Sequence, residues 1–168
     1  MNNNLHSILL LLCAVLWNAS GAAAASFKDV VVIGDSLSDQ GNVYTLTGGT
    51  IPPVEYTDGT KFGRFTNGRN YVDYLSSALS LTITPSLAGG SNYATGGART
   101  DSASVGGISI GPFSLLDQRD AYVDGLGPSG ADPQALHVVW GGSNDLTDII
   151  ETVIADPTYD PFPDVENA

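Results

Sequence analysis

The stretch that most restricts the fold is KDVVVIGDS, residues 28 to 36. Its apolar residues, Val30 to Ile33, run without alternation. A strand with one wet face alternates apolar and polar side chains. An unbroken β-branched run suits a parallel sheet covered on both faces. QALHVVWGG, residues 134 to 142, reads as a second such strand. Helical spacing appears between and after the two. Tyr71, Tyr74, Leu75, Ala78 and Leu79 follow a turn signal at Asn67-Gly68. FSLLDQRDAYVDGLG predicts a helix ending near Gly125 to Gly127. DLTDIIETVIAD predicts another, with Asp145 or Thr147 near its start. SLSDQGNVY opens a short helix or an irregular loop, and LTITPS (81–86) is a short strand candidate. Residues 47–60 and 87–112, rich in Gly, Thr and Ser, read as mostly loop. Strands alternating with helices predict an α/β fold with a parallel sheet. Right-handed crossovers then bring the carboxyl ends of the strands to one rim, where ligands of open α/β sheets bind. Both strands end there, in GDS and GGSND.

The first 25 residues differ from the rest. LHSILLLLCAVLW has the length of a signal-peptide core and is short for a membrane span. SGAAAAS follows, with small residues suited to cleavage after Ala23, Ala24 or Ala25. The amino end, MNNN, lacks the usual Lys or Arg, and an uncleaved anchor is the alternative. The expectation is a signal peptide over 1–25, a secreted or periplasmic protein, and no stable membrane span after cleavage. Cys13 would leave with the signal, so neither a disulfide framework nor a thiol site remains. His137 would be the one remaining histidine. The chain carries 18 acids against 6 bases, a net charge of −12. Nucleic acids and anionic membranes need clustered Lys and Arg, so neither is an expected partner.

Three short blocks reach the rim. In GDSLSDQGN, Ser36 sits at a strand-to-helix turn where its own backbone N–H is free. A serine nucleophile needs a base and donors for the oxyanion. Gly34 permits a tight approach and Asp35 restrains the turn. Taken alone, the tripeptide fits a helix cap, with Asp39 closing a weak capping box on Ser36. In SNYATGGART, adjacent Gly96 and Gly97 can turn an N–H toward a ligand, although most glycine pairs are only turns. In WGGSNDL, Asn144 offers a side-chain N–H₂, or else the Asn-Asp pair is another helix cap.

Together, in this order, the blocks resemble the GDSL, or SGNH, serine hydrolases of the lipase/esterase branch. GDSLSDQGN is similar to the first family block, NYATGGA to the second and GGSND to the third. FGRFTNGRNYVDYL is similar to the segment common between the first two. The resemblance implies a flavodoxin-like three-layer α/β/α fold and hydrolysis of carboxylic esters, such as acyl lipids, acetylated sugars or small esters. It implies Ser36 as nucleophile. The oxyanion would be held by the N–H groups of Ser36 and Gly97, with Gly96 the alternative register, and by Asn144. Asp35 and Asp145 are supporting residues. No cofactor or metal is implied.

The fourth family block, D-x-x-H, is absent, so no catalytic His/Asp pair is identified. His137 lies inside a strand with Gln134 three residues before it, and reads as structural. After DPTYDPFP, DVENA looks like a first helical turn with Asp164 as its cap. The expectation is therefore that 26–168 is the N-terminal part of a hydrolase domain, incomplete at the C-terminus. Such a piece should keep only oxyanion and binding contributions, about 10³–10⁴ over water, and express poorly or aggregate. One competing expectation is a secreted binding module or remnant using Tyr56, Phe62 and Phe65; the same aromatics also suit simple loop packing. Another is an acidic Mg²⁺ site on Asp35, Asp39 and Asp145 for phosphoester hydrolysis.

Overall fold

The computed structural model describes residues 26–53, 63–101 and 113–162. The expected signal segment, Tyr56, Phe62 and the Asp164 turn lie outside the described residues. Among the described residues no helix is long and apolar enough to cross a membrane.

Two strands form as expected, β1 at Asp29–Gly34 and β2 at Ala135–Trp140. They pair in parallel, Asp29 opposite Ala135 through Gly34 opposite Trp140. Helices α1 (Asn42–Leu46), α2 (Tyr71–Leu79), α3 (Leu115–Asp124) and α4 (Ser143–Ala155) complete the frame, with a 3₁₀ turn at Ser86–Ala88.

The LTITPS strand does not form. Pro85 makes one isolated bridge to Asn92, and the chain then turns into the 3₁₀ helix. Proline has no N–H for a ladder, which ends pairing there. The segment that lies along the free side of β1 is instead 91–95, which the glycine content had marked as loop. Val32 N–H donates to Ser91 O at 3.0 Å, Tyr93 N–H to Val32 O at 2.8 Å and Thr95 N–H to Gly34 O at 3.0 Å.

Side chains alternate across β1. Val30 and Val32 are fully buried with Val72, Ile83 and Ala94, and Leu75 and Leu79 of α2 pack on that cluster. The opposite face, that of Val31, meets α3. There Gln118 clasps Gly34: its Oε1 accepts from the Gly34 N–H at 2.8 Å and its Nε2 donates to the Gly34 carbonyl at 2.9 Å. Helices thus cover both faces of β1, the three-layer arrangement expected. The outer side of β2 is open among the described residues, with Val139 65% and Trp140 52% exposed.

The helices start where their side chains make them start. Asn70 and Asp73 form a reciprocal capping box on α2, and Ser114 and Asp117 do the same on α3. Asp73 also holds Arg64 in a buried ion pair, Nη2 to Oδ1 at 2.7 Å. Burial pushes the Asp73 carboxyl up, but Arg64, Gln40 and the Asn70 N–H outweigh it, so its pKa lies below the ordinary value. A lowered carboxylate contributes stability that is present above its unfolded value, about 3.9, and lost as pH falls through the folded one. The melting-temperature gap between wild type and Asp73→Asn should therefore be wide at neutral pH and close below pH about 4. A gap that stays constant from pH 7 to pH 3 would remove this account.

Candidate active site

Ser36 stands at the carboxyl end of β1, on a turn built by Asp35. The Asp35 N–H extends the strand pairing by donating to Trp140 O at 3.1 Å, and the Asp35 carbonyl accepts from Ser38 and Asp39. The Asp35 side chain, fully buried, accepts from Leu37 N–H at 3.0 Å and from Ser143 Oγ at 2.8 Å. Asp35 restrains the turn, as expected, and also joins it to the start of α4. Gly34 is required by close approach, since a Cβ there would lie 2.7 Å from Ser38 Oγ and 2.8 Å from Trp140 O.

Ser36 caps no helix among the described residues. That work falls to Asp39, whose carboxylate accepts from the N–H groups of Gly41 (2.6 Å), Asn42 (2.7 Å) and Val43 (3.2 Å). It takes a fourth from Gly96 at 3.0 Å. Burial pushes the Asp39 carboxyl up, while the four N–H groups pull against it. Neither the hydroxyl nor the backbone N–H of Ser36 has a partner among the described residues.

The two glycines of the second block differ. The Gly96 N–H is committed to Asp39, and a Cβ on Gly96 would meet the Phe65 ring at 2.3 Å. Gly97 has φ +84°, is exposed, has open space around it, and its N–H has no partner among the described residues.

In the third block, Gly142 at φ +98° precedes α4, so Asn144 and Asp145 lie in its first turn and neither is the cap. One N–H of the Asn144 amide donates to Ala98 O at 2.7 Å. A side-chain amide has two such donors, so one remains. Asp145 accepts from Thr100 N–H at 3.1 Å and Thr100 Oγ1 at 2.7 Å, and Arg99 pairs with Asp148. The loop after Gly97 is thereby laced to α4, while Ser143 laces α4 to the Ser36 turn. Sequence reasoning named the three blocks but not these ties, because nothing in the spacing shows which carboxylate meets which hydroxyl.

Beside Ser36 opens a pocket of about 230 Å³, walled by Leu37, Phe65, Tyr71 and Trp140, with Thr66 and Asn70 at its edge. Tyr71 Oη and Ser38 Oγ are 2.8 Å apart, and the Tyr71 and Trp140 rings sit 5.8 Å apart. Burial raises the Tyr71 phenol, so it stays protonated. The sequence placed Tyr71 on a helix, Trp140 in a strand and Phe65 in a loop, there either for ligand contact or for packing. All three are also pocket walls, and the FTNGRNY stretch was the available signal.

The Mg²⁺ arrangement is not formed. Asp39 is saturated by backbone donors, Asp145 is held by Thr100, and among the described residues no three His, Cys, Asp or Glu side chains gather as a metal site. His137, which is exposed, faces Tyr122 of α3, Nε2 to Oη at 2.9 Å with the rings edge to face.

Residues 30–168 match the family model described as GDSL-like Lipase/Acylhydrolase. Esterase EstA of Pseudomonas aeruginosa is 32% identical over 163 residues, covering 80% of this chain and 25% of that protein. Two GDSL esterase/lipases of Arabidopsis thaliana are 34% and 29% identical, over 68% and 86% of this chain. The chain spans 38% and 46% of those two proteins, so it corresponds to under half of the relatives it matches.

Proposed function

The chain belongs to the GDSL-like lipase/acylhydrolase family, and from that premise we propose that it is the nucleophile-bearing part of an exported serine ester hydrolase. The observation that carries this reading is a Ser36 hydroxyl without a partner among the described residues, set beside an aromatic-walled pocket. Ser36 Oγ attacks the ester carbon, and the pocket beside it receives one flank of the substrate. The tetrahedral oxyanion is taken by the Ser36 N–H, the Gly97 N–H and the second Asn144 N–H. Gly97 is preferred to Gly96 because the Gly96 N–H already serves Asp39. Asp35 and Asp145 position the nucleophile turn and the oxyanion loop without touching substrate.

His137 is engaged by Tyr122 of α3, and in this reading the base is a histidine other than His137. Export rests on the apolar run at 5–17 and the small residues before Ser26.

The test is hydrolysis of p-nitrophenyl esters by the full gene product, with a fluorophosphonate to mark the reactive serine. Labelling at Ser36 supports the reading. Turnover with the label on another residue would end it. In the active protein, Asn144→Ala should lower kcat about 10²–10³-fold with little change in KM, since the donor acts on charge that develops only in the transition state. An equal rise in KM at constant kcat would assign Asn144 to ground-state binding instead.

A further inference from the structure

A second cavity, of about 410 Å³, lies at the other end of β1 on the α3 face. Its floor is Val31 and its walls include the rings of Tyr93 and Tyr122, edge to face with centroids 5.8 Å apart. Asp29, Thr82 and Thr84 stand around it. Gly90 shapes its rim by necessity, since a Cβ there would come within 2.1 Å of Thr84 Oγ1.

The polar groups of this cavity are largely unused. Asp29 Oδ1 accepts from the Val30 N–H at 2.7 Å and Ser91 Oγ at 3.2 Å, but Oδ2 has no partner among the described residues. The hydroxyls of Thr82, Thr84 and Tyr93 likewise have none there. Burial, then Tyr122 and Asp29, raise the Tyr93 phenol, which keeps its proton to donate. Among the described residues no Lys, Arg or His lines the cavity, so an anionic ligand is disfavoured.

The volume suits a small ligand. Its chemistry asks for one with several hydroxyls to meet the free oxygens, and C–H faces to lie on the tyrosine rings. We propose that this cavity is a binding site for a neutral saccharide, separate from the pocket beside Ser36. The inference does not rest on the hydrolase reading.

Cellobiose titrated into the full chain carrying Trp17→Phe tests it by calorimetry, with Trp140 emission followed in parallel. Trp140 lines the Ser36 pocket and not this cavity. The expected result is saturable millimolar binding with Trp140 emission unchanged. Asp29→Asn, which keeps Oδ1 for its present partners, should weaken binding by about tenfold. Thr84→Val should weaken it too, with the melting temperature held near wild type in both. Three results would each overturn the proposal: no heat up to tens of millimolar, binding indifferent to both substitutions, or binding that shifts Trp140 emission.

Discussion

Ser36→Ala should abolish ester hydrolysis while leaving the fold untouched. In the active gene product the expected loss is at least about 10⁴-fold in kcat, because the nucleophile, the base and the oxyanion donors work as a unit. The second half of the expectation is the more specific to this chain. The Ser36 hydroxyl has no hydrogen-bond partner among the described residues, so removing it orphans nothing. Stability should stay within about 0.5 kcal/mol of wild type. A urea titration and a p-nitrophenyl acetate assay on one preparation read both. Retained turnover would remove Ser36 from the mechanism. Lost turnover together with a lowered midpoint would show that the serine supports the turn, and the hydroxyl's freedom would then be the wrong premise.

Asp39→Ala should do the opposite, unfolding the chain before activity can be asked about. Its carboxylate, fully buried, serves four backbone N–H groups from two segments of chain. Each buried donor left without an acceptor costs about 1–3 kcal/mol. Even with partial relaxation, the loss is comparable with a typical total stability of about 5–15 kcal/mol. Asp39→Asn keeps one acceptor oxygen and should fall between. Far-UV circular dichroism and a thermal melt of the soluble fraction decide it. A variant Asp39→Ala that melts like wild type would mean water replaces the carboxylate, and the hub role would be lost. The pH dependence carries its own sign. Burial raises the Asp39 carboxyl, so its titration favours the folded state as pH falls, opposing the contribution of Asp73.

The parts of the molecule legible in its sequence were those governed by a local pattern. Val30 to Ile33 had to be a covered strand because no polar residue interrupts them, and the helical spacing of Tyr71, Tyr74, Leu75, Ala78 and Leu79 marked the helix that forms at Tyr71–Leu79, although its cap at Asn70 was not read. The 91–95 segment was illegible because its partner is β1, some sixty residues away. The glycines on either side of it, Gly89, Gly90, Gly96 and Gly97, argued against a strand, and only three long-range hydrogen bonds argue for one. The site followed the same division. Ser36, Gly97 and Asn144 were recognisable as blocks along the chain. That Gln118 clasps Gly34, or that Ser143 reaches Asp35, depends on how a helix from a distant stretch is laid on the sheet. The roles of Asp39 were read too locally. The carboxylate looked like the closing member of a weak capping box on Ser36; it serves the first amides of α1 instead, and its bond to Gly96 had no signal in the spacing.

Gly96 and Gly97 are the same letter twice, yet they are irreplaceable for different reasons. At Gly96 the obstacle is volume: a Cβ there needs the space that the Phe65 ring fills. At Gly97 a Cβ would meet nothing within 4 Å, and the obstacle to an L residue is the backbone conformation, since φ is +84°. A D-alanine installed at 97 by chemical ligation would sit where an L-alanine strains. It would also hold that amide more rigidly than glycine can, turning a flexible donor into a mirror-image hinge pin.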